Sequence, residues 1–134
     1  MKKPILLLSL MLILFLTGCM SSIPDGPLPY ASNARDAAQV YILRSDEGVF
    51  WAVLPLNVTF DNHVIARLGT GEFVKFTVDY GFHDVGVSNH TIQFPFERGR
   101  TYHFIIAPDD SAFGFGISLL GPEQAQRLLN SYSN

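Results

Sequence analysis

From Gln39 onward, apolar and polar residues follow one another in short runs with a period of two. Leu56, Val58 and Phe60 alternate with Asn57 and Thr59, which predicts a strand with one buried face. Asp61-Asn62-His63 then predicts a tight hairpin turn, because Asp and Asn tolerate the left-handed backbone. Val64 to Leu68 is the returning partner. Further runs at Val40–Leu43, Val49–Leu54, Phe73–Val78, Val85–Val87, Ile92–Phe96, Tyr102–Ile106 and Phe113–Leu119 read as strands. Gly69-Thr70-Gly71, Asp79-Tyr80-Gly81 and Glu97-Arg98-Gly99-Arg100 separate them as turns, and Arg44 with the polar Ser45–Gly48 closes the first. One helix is expected, over Gly121–Leu129, with Pro122 at its first position and Glu123 near its positive end. Seven or eight strands spaced near ten residues predict an all-β chain. The expected form is an Ig-like or prealbumin-like β-sandwich with a short C-terminal helix.

The first 38 residues break this pattern. Lys2 and Lys3 precede an apolar run from Ile5 to Leu16, followed by Thr17 and Gly18. That order fits a secretory signal peptide. A membrane-spanning helix is the competing reading, but Ile5 to Met20 is 16 residues where about 20 are needed. Leu16-Thr17-Gly18-Cys19 resembles the lipobox of bacterial lipoproteins and holds the single cysteine of the chain. The resemblance implies cleavage after Gly18 and lipid on Cys19. Two or three acyl chains on one residue make a stable anchor. Met20, in place of Asp, follows the cysteine, and the sorting rule of Gram-negative lipoproteins then implies the outer membrane. Pro24, Pro27, Pro29 and Gly26 mark an extended linker. The expected organisation is a signal peptide over 1–18, a lipidated N-terminus and linker over 19–38, a sandwich over 39–130 and a tail over 131–134. Asp36-Ala37-Ala38 reads as one helical turn or as more linker.

Charge narrows the function. Removing Lys2 and Lys3 from nine basic residues leaves seven against twelve acidic ones, a net of −5. Nucleic-acid binding needs a basic patch, so no nucleic-acid partner is expected. Docking on anionic headgroups by charge is disfavoured for the same reason. With Cys19 taken by lipid, no cysteine is left for a disulfide, and the core must hold the fold alone.

Several segments together resemble a family of small uncharacterised bacterial lipoproteins with a single β-sandwich domain of unknown function, and related patterns occur in PEGA-type surface domains. They are Val40-Tyr41-Ile42-Leu43-Arg44, Val58 through Leu68, Gly71-Glu72-Phe73, Gly81-Phe82-His83 as a Gly-x-His turn, and Arg98 through Phe104. Asn62 stands where the family has Gly, and Asp79-Tyr80 where prolines are common. The resemblance implies a sandwich fold and an envelope address. It supplies no catalytic residues.

Candidate chemistry is sparse. His63, His83, His90 and His103 lack the close spacing of a metal motif, so no metal or cofactor is expected. Asp109-Asp110 with Ser111 has too few oxygens for a calcium loop. Glu97 and Asp84 are a conceivable carboxylate pair whose separation the sequence does not fix. Gly114-Phe115-Gly116 reads as strand residues that let another backbone approach. Val49-Phe50-Trp51 is the candidate binding patch, either an exposed aromatic surface through Phe50 and Trp51 or, with Trp51 inward, the centre of the core. The expected function is a non-enzymatic envelope module with a protein or glycan partner. The alternative is a carrier of a small hydrophobic ligand, suggested by eleven phenylalanines that a packed core explains equally well. A hydrolase is a third reading.

Overall fold

The computed structural model describes residues 28–46, 54–88, 90–109 and 114–132. Eight strands are present: β1 (Ala37–Arg44), β2 (Leu56–Phe60), β3 (His63–Leu68), β4 (Phe73–Asp79), β5 (Gly81–Val87), β6 (His90–Phe96), β7 (Thr101–Pro108) and β8 (Phe115–Leu119). Helix α1 (Pro122–Tyr132) closes the described chain. The strands form two four-stranded sheets, β4-β1-β7-β8 and β3-β2-β5-β6. The chain is therefore an all-β sandwich with one short C-terminal helix.

The expected runs that fall among the described residues are strands; the one at Val49–Leu54 lies outside them except for Leu54, which is a bend. In β1, Ala38, Val40 and Ile42 point into the core, while Gln39 and Tyr41 point out. β2 and β3 form a hairpin around Asp61 and Asn62, whose φ values of 47° and 65° are the two left-handed residues that a tight hairpin turn requires. β5–β6 and β7–β8 are antiparallel neighbours as well. Every pairing is antiparallel except β1 with β7. An immunoglobulin constant-type sandwich would put its first two strands in one sheet. Here β1 and β2 lie in different sheets, so of the two expected forms the order fits the prealbumin-like one.

The core lies between the sheets. Val58, Val85, Val87, Phe104 and Ile106 are fully buried, with Phe60, Phe76 and Phe96 nearly so. Burying one such side chain is worth about 1.5–3 kcal/mol. Phe60, Phe76, Phe94, Phe96 and Phe104 join in a chain of ring contacts at 5.0–6.1 Å, most of them edge-on, the arrangement aromatic quadrupoles prefer. Five phenylalanines are thus spent on packing.

Three sequence expectations need correcting. Gly81-Phe82-His83 is the start of β5, not a turn, and Tyr80 alone bends the chain between β4 and β5. Asp36-Ala37-Ala38 is neither helix nor linker beyond Asp36, because β1 begins at Ala37. Arg44 closes β1, but it is not turned to solvent. Its side chain is 2% exposed, and it donates to the carbonyls of Leu54 at 2.5 Å and Leu68 at 2.6 Å. Gly116 has open space where a Cβ would stand, so no backbone approaches it among the described residues.

Candidate functional site

Edge strand β3 of one sheet lies over edge strand β4 of the other. Between them, at the end marked by the β2–β3 turn, opens a groove of about 760 Å³. Phe60, Ile65 and Val78 form its floor and belong to the core. Val64, on β3, is one wall. The opposite wall comes from the N-terminal segment, through Leu28, Pro29 and Tyr30. Leu28 packs on the core, whereas Tyr30 is 82% exposed.

That N-terminal segment is strapped to β4. The N–H of Ala31 donates to Thr77 Oγ1 at 3.1 Å. Ser32 gives both its N–H and its hydroxyl to Asp79 Oδ1, each at 2.8 Å. These bonds from Ser32 hold the Asp79 carboxyl below the usual carboxylate range. The residues read as linker from 31 onward are therefore tied to the domain.

The rim of the groove is polar. His83, from β5, places Nδ1 2.7 Å from Asp61 Oδ2 and Nε2 2.8 Å from the carbonyl of Asp79. Its ring stacks on Phe60 at 5.0 Å. The other oxygen of Asp61 accepts the N–H of Asp84 at 3.0 Å. His63 points Nδ1 at the carbonyl of Asp61, 2.8 Å away. His83 thus bridges the β2–β3 turn of one sheet to the end of β4 in the other. Both of its partners are acceptors belonging to the fold, so the ring acts as a clasp.

The residues singled out in the sequence fall in different places. His63 and His83 meet at the groove. His90 opens β6 and is exposed. His103 lies on the outer face of the other sheet, stacked on Tyr41 at 4.7 Å, where burial lowers the basicity of its ring. Lys75 lies 5.3 Å over the same Tyr41 ring. Glu97 pairs with Arg100 at 2.8 Å, and Asp84 stands opposite Gln93 on β6, three pairs from the Phe96 that precedes Glu97. Among the described residues, no three histidine or acidic side chains gather as a metal site needs. Cys19, Phe50 and Trp51 lie outside the described residues, as do Asp110 and Ser111. No protein-family model, no curated protein and no solved structure matches the chain. Among the described residues no helix is long and apolar enough to cross a membrane.

Sequence reasoning missed the groove. Its floor residues read correctly as core, and nothing in their alternation tells that β3 and β4 leave a gap. One signal was present: Leu28 and Tyr30 are apolar residues in an otherwise polar, proline-rich stretch.

Proposed function

We propose that this chain is a lipid-anchored, non-enzymatic binding module of the bacterial cell envelope, and that the groove between β3 and β4 is its binding surface. The observation that carries the reading is the groove itself. Its volume of about 760 Å³ falls in the range of ligand sites, which combine apolar walls with a few placed polar groups. The anchor rests on the lipobox-like Leu16-Thr17-Gly18-Cys19, and the outer-membrane address on Met20. The non-enzymatic reading draws on His83, whose two nitrogens face groups of the fold itself.

A hydrophobic-ligand carrier is the second reading, favoured by the apolar floor of Phe60, Ile65 and Val78. In either case the ligand lies in an open groove at the sandwich edge.

Site-specific photo-cross-linking in intact cells tests the module. A photoreactive residue at Val64 on the groove wall is compared with one at Gln93, exposed on β6. Adducts at position 64 that are missing at 93 are expected. They should fade when Cys19→Ala releases the protein from the membrane fraction. Equal labelling at both positions, or none at 64, would remove the groove as the binding surface. A Cys19→Ala protein that stays with the membrane would remove the anchor.

A further inference from the structure

We infer that the groove selects cationic amphiphiles: an apolar chain or ring for its floor, ending in an ammonium or guanidinium group at Asp79 and Asp61. The inference rests on the groove being the binding surface proposed above. It adds the chemistry of the ligand.

The apolar half follows from Leu28, Phe60, Val64, Ile65 and Val78, which leave a ligand little to hydrogen-bond along the floor. The charged half follows from the rim. The ionisable side chains lining the groove are Tyr30, Asp61, Asp79, His63 and His83, and no Lys or Arg is among them. Ser32 keeps Asp79 ionised well into acid. The nearby Arg98 is engaged elsewhere, over the Tyr80 ring at 4.0 Å and toward Asp36 at 3.8 Å. The lining therefore sets two carboxylates at the rim with no Lys or Arg to offset them. A fatty acid or a phosphate headgroup would be repelled from such a rim, and a cation drawn to it. The chain's own preceding segment is a poor occupant for the same reason. From Met20 to Pro27 it has Asp25 and no basic residue.

The test uses three probes of one shape: 4-phenylbutylamine, 4-phenylbutanol and 4-phenylbutyrate. Each is titrated calorimetrically at pH 8 into the full chain held in phosphatidylcholine nanodiscs, with empty nanodiscs as the blank. The amine should bind best and the carboxylate worst, each step about threefold, as for partly exposed charge pairs. High salt should compress the series. Asp79→Asn keeps an acceptor oxygen for Ser32 but loses the charge. It should bring the amine down to the alcohol and leave the alcohol unchanged. Ser32→Ala, which loosens the strap and keeps the charge, should weaken all three probes together. Equal affinities, a preference for the carboxylate, or an amine affinity unmoved by Asp79→Asn would overturn the inference and leave the groove as a binding surface. If none of the three binds, the inference falls, while the groove as a binding surface stands or falls with the cross-linking at Val64.

Discussion

Ser32 donates twice to a single oxygen of Asp79, through its N–H and its hydroxyl, each at 2.8 Å. The two residues are 47 apart in sequence, and this contact turns the end of a linker into one wall of a groove. It also makes the wall sensitive to acid. The Asp79 carboxyl is held below its ordinary value of 3.8 chiefly by the Ser32 hydroxyl. A carboxylate with a depressed folded-state pKa gives stability that is present above the unfolded value and lost as pH falls through the folded one. The Ala31 and Ser32 amides should therefore stay protected from hydrogen exchange at neutral pH and lose protection below about pH 3.8. Asp79→Ala should expose both at neutral pH, while α1 amides stay protected. Protection that survives Asp79→Ala would mean the strap is held by something else.

The β2–β3 turn predicts a graded series at Asn62. Its φ of 65° suits Asn and Gly and penalises a β-branched residue. Asn62→Gly should change stability by a few tenths of a kcal/mol, because Gly enters this conformation freely but costs more entropy. Asn62→Val should destabilise by about 1–2 kcal/mol. Urea unfolding of the three proteins checks this, and equal midpoints for Asn and Val would contradict the left-handed turn.

How far the sequence could be read differs between fold and site. Alternation found β2 to the residue, and the Asp61-Asn62 turn followed from the types of two residues. The strand order could not be read. The parallel β1–β7 pair joins Gln39 to Thr101, and no local pattern records a contact across 62 positions. The end of β1 at Arg44 was legible, but the burial of its side chain was not, because its partners are two carbonyls 10 and 24 residues away. The Asp61–His83 clasp was missed for the same reason. Both residues sat at predicted turns, and only the sheet pairing of β2 with β5 brings them together. Local chemistry is written locally, whereas a site assembled from strand edges exists only once the sheets are stacked.

Arg44 predicts a large effect from a single buried cation. Burial pulls its guanidinium below the ordinary arginine value, and Glu72 opposes that. Phe115 lies 5.4 Å from the guanidinium carbon. Replacing Arg44 with Met would keep much of the packing and leave the Leu54 and Leu68 carbonyls without this donor. The expected loss is about 1–3 kcal/mol, the cost of leaving one buried acceptor unsatisfied, since only the Leu68 bond is buried and the exposed Leu54 carbonyl can turn to water. Both bonds come from Nη1, so an ammonium could donate to the same two carbonyls; Lys at 44 should recover part of the loss but not the contact of the planar guanidinium with Phe115. Thermal unfolding of both variants is the measurement, and a Met variant as stable as the parent would deny Arg44 this structural role.

His103 should make stability fall with acid in a higher pH window than Asp79 does. Burial against Tyr41 disfavours the charged ring, so its folded pKa lies below the ordinary 6.5. The unfolded chain then binds the proton more readily than the folded one. Stability from this group is complete above pH 6.5 and is lost as pH falls through the lower folded value. His103→Gln removes the titration and should flatten the stability profile below pH 6.5, with little change at pH 8. A variant whose profile stays as steep as the parent's would assign that pH dependence to other groups.

Gly86 is the position where the sheet tolerates nothing larger. A Cβ there would stand 2.5 Å from Thr59 Oγ1 and 2.8 Å from Thr91 Oγ1, the side chains flanking it on β2 and β6. The hydroxyls could swing aside, but the main-chain oxygen of His90, at 3.1 Å, can move only with its strand. Gly86→Ala therefore pushes β6 away from β5 and should cost about 1–3 kcal/mol, as overpacking does. Pairing Gly86→Ala with Thr59→Ala and Thr91→Ala separates the causes. If the hydroxyls are the obstacle, the triple variant regains most of the loss beyond what the two Thr→Ala changes cost alone. If the strand backbone is the obstacle, it regains little. Urea midpoints of the four proteins decide between them, and a Gly86→Ala protein as stable as the parent would show that neither neighbour constrains the site.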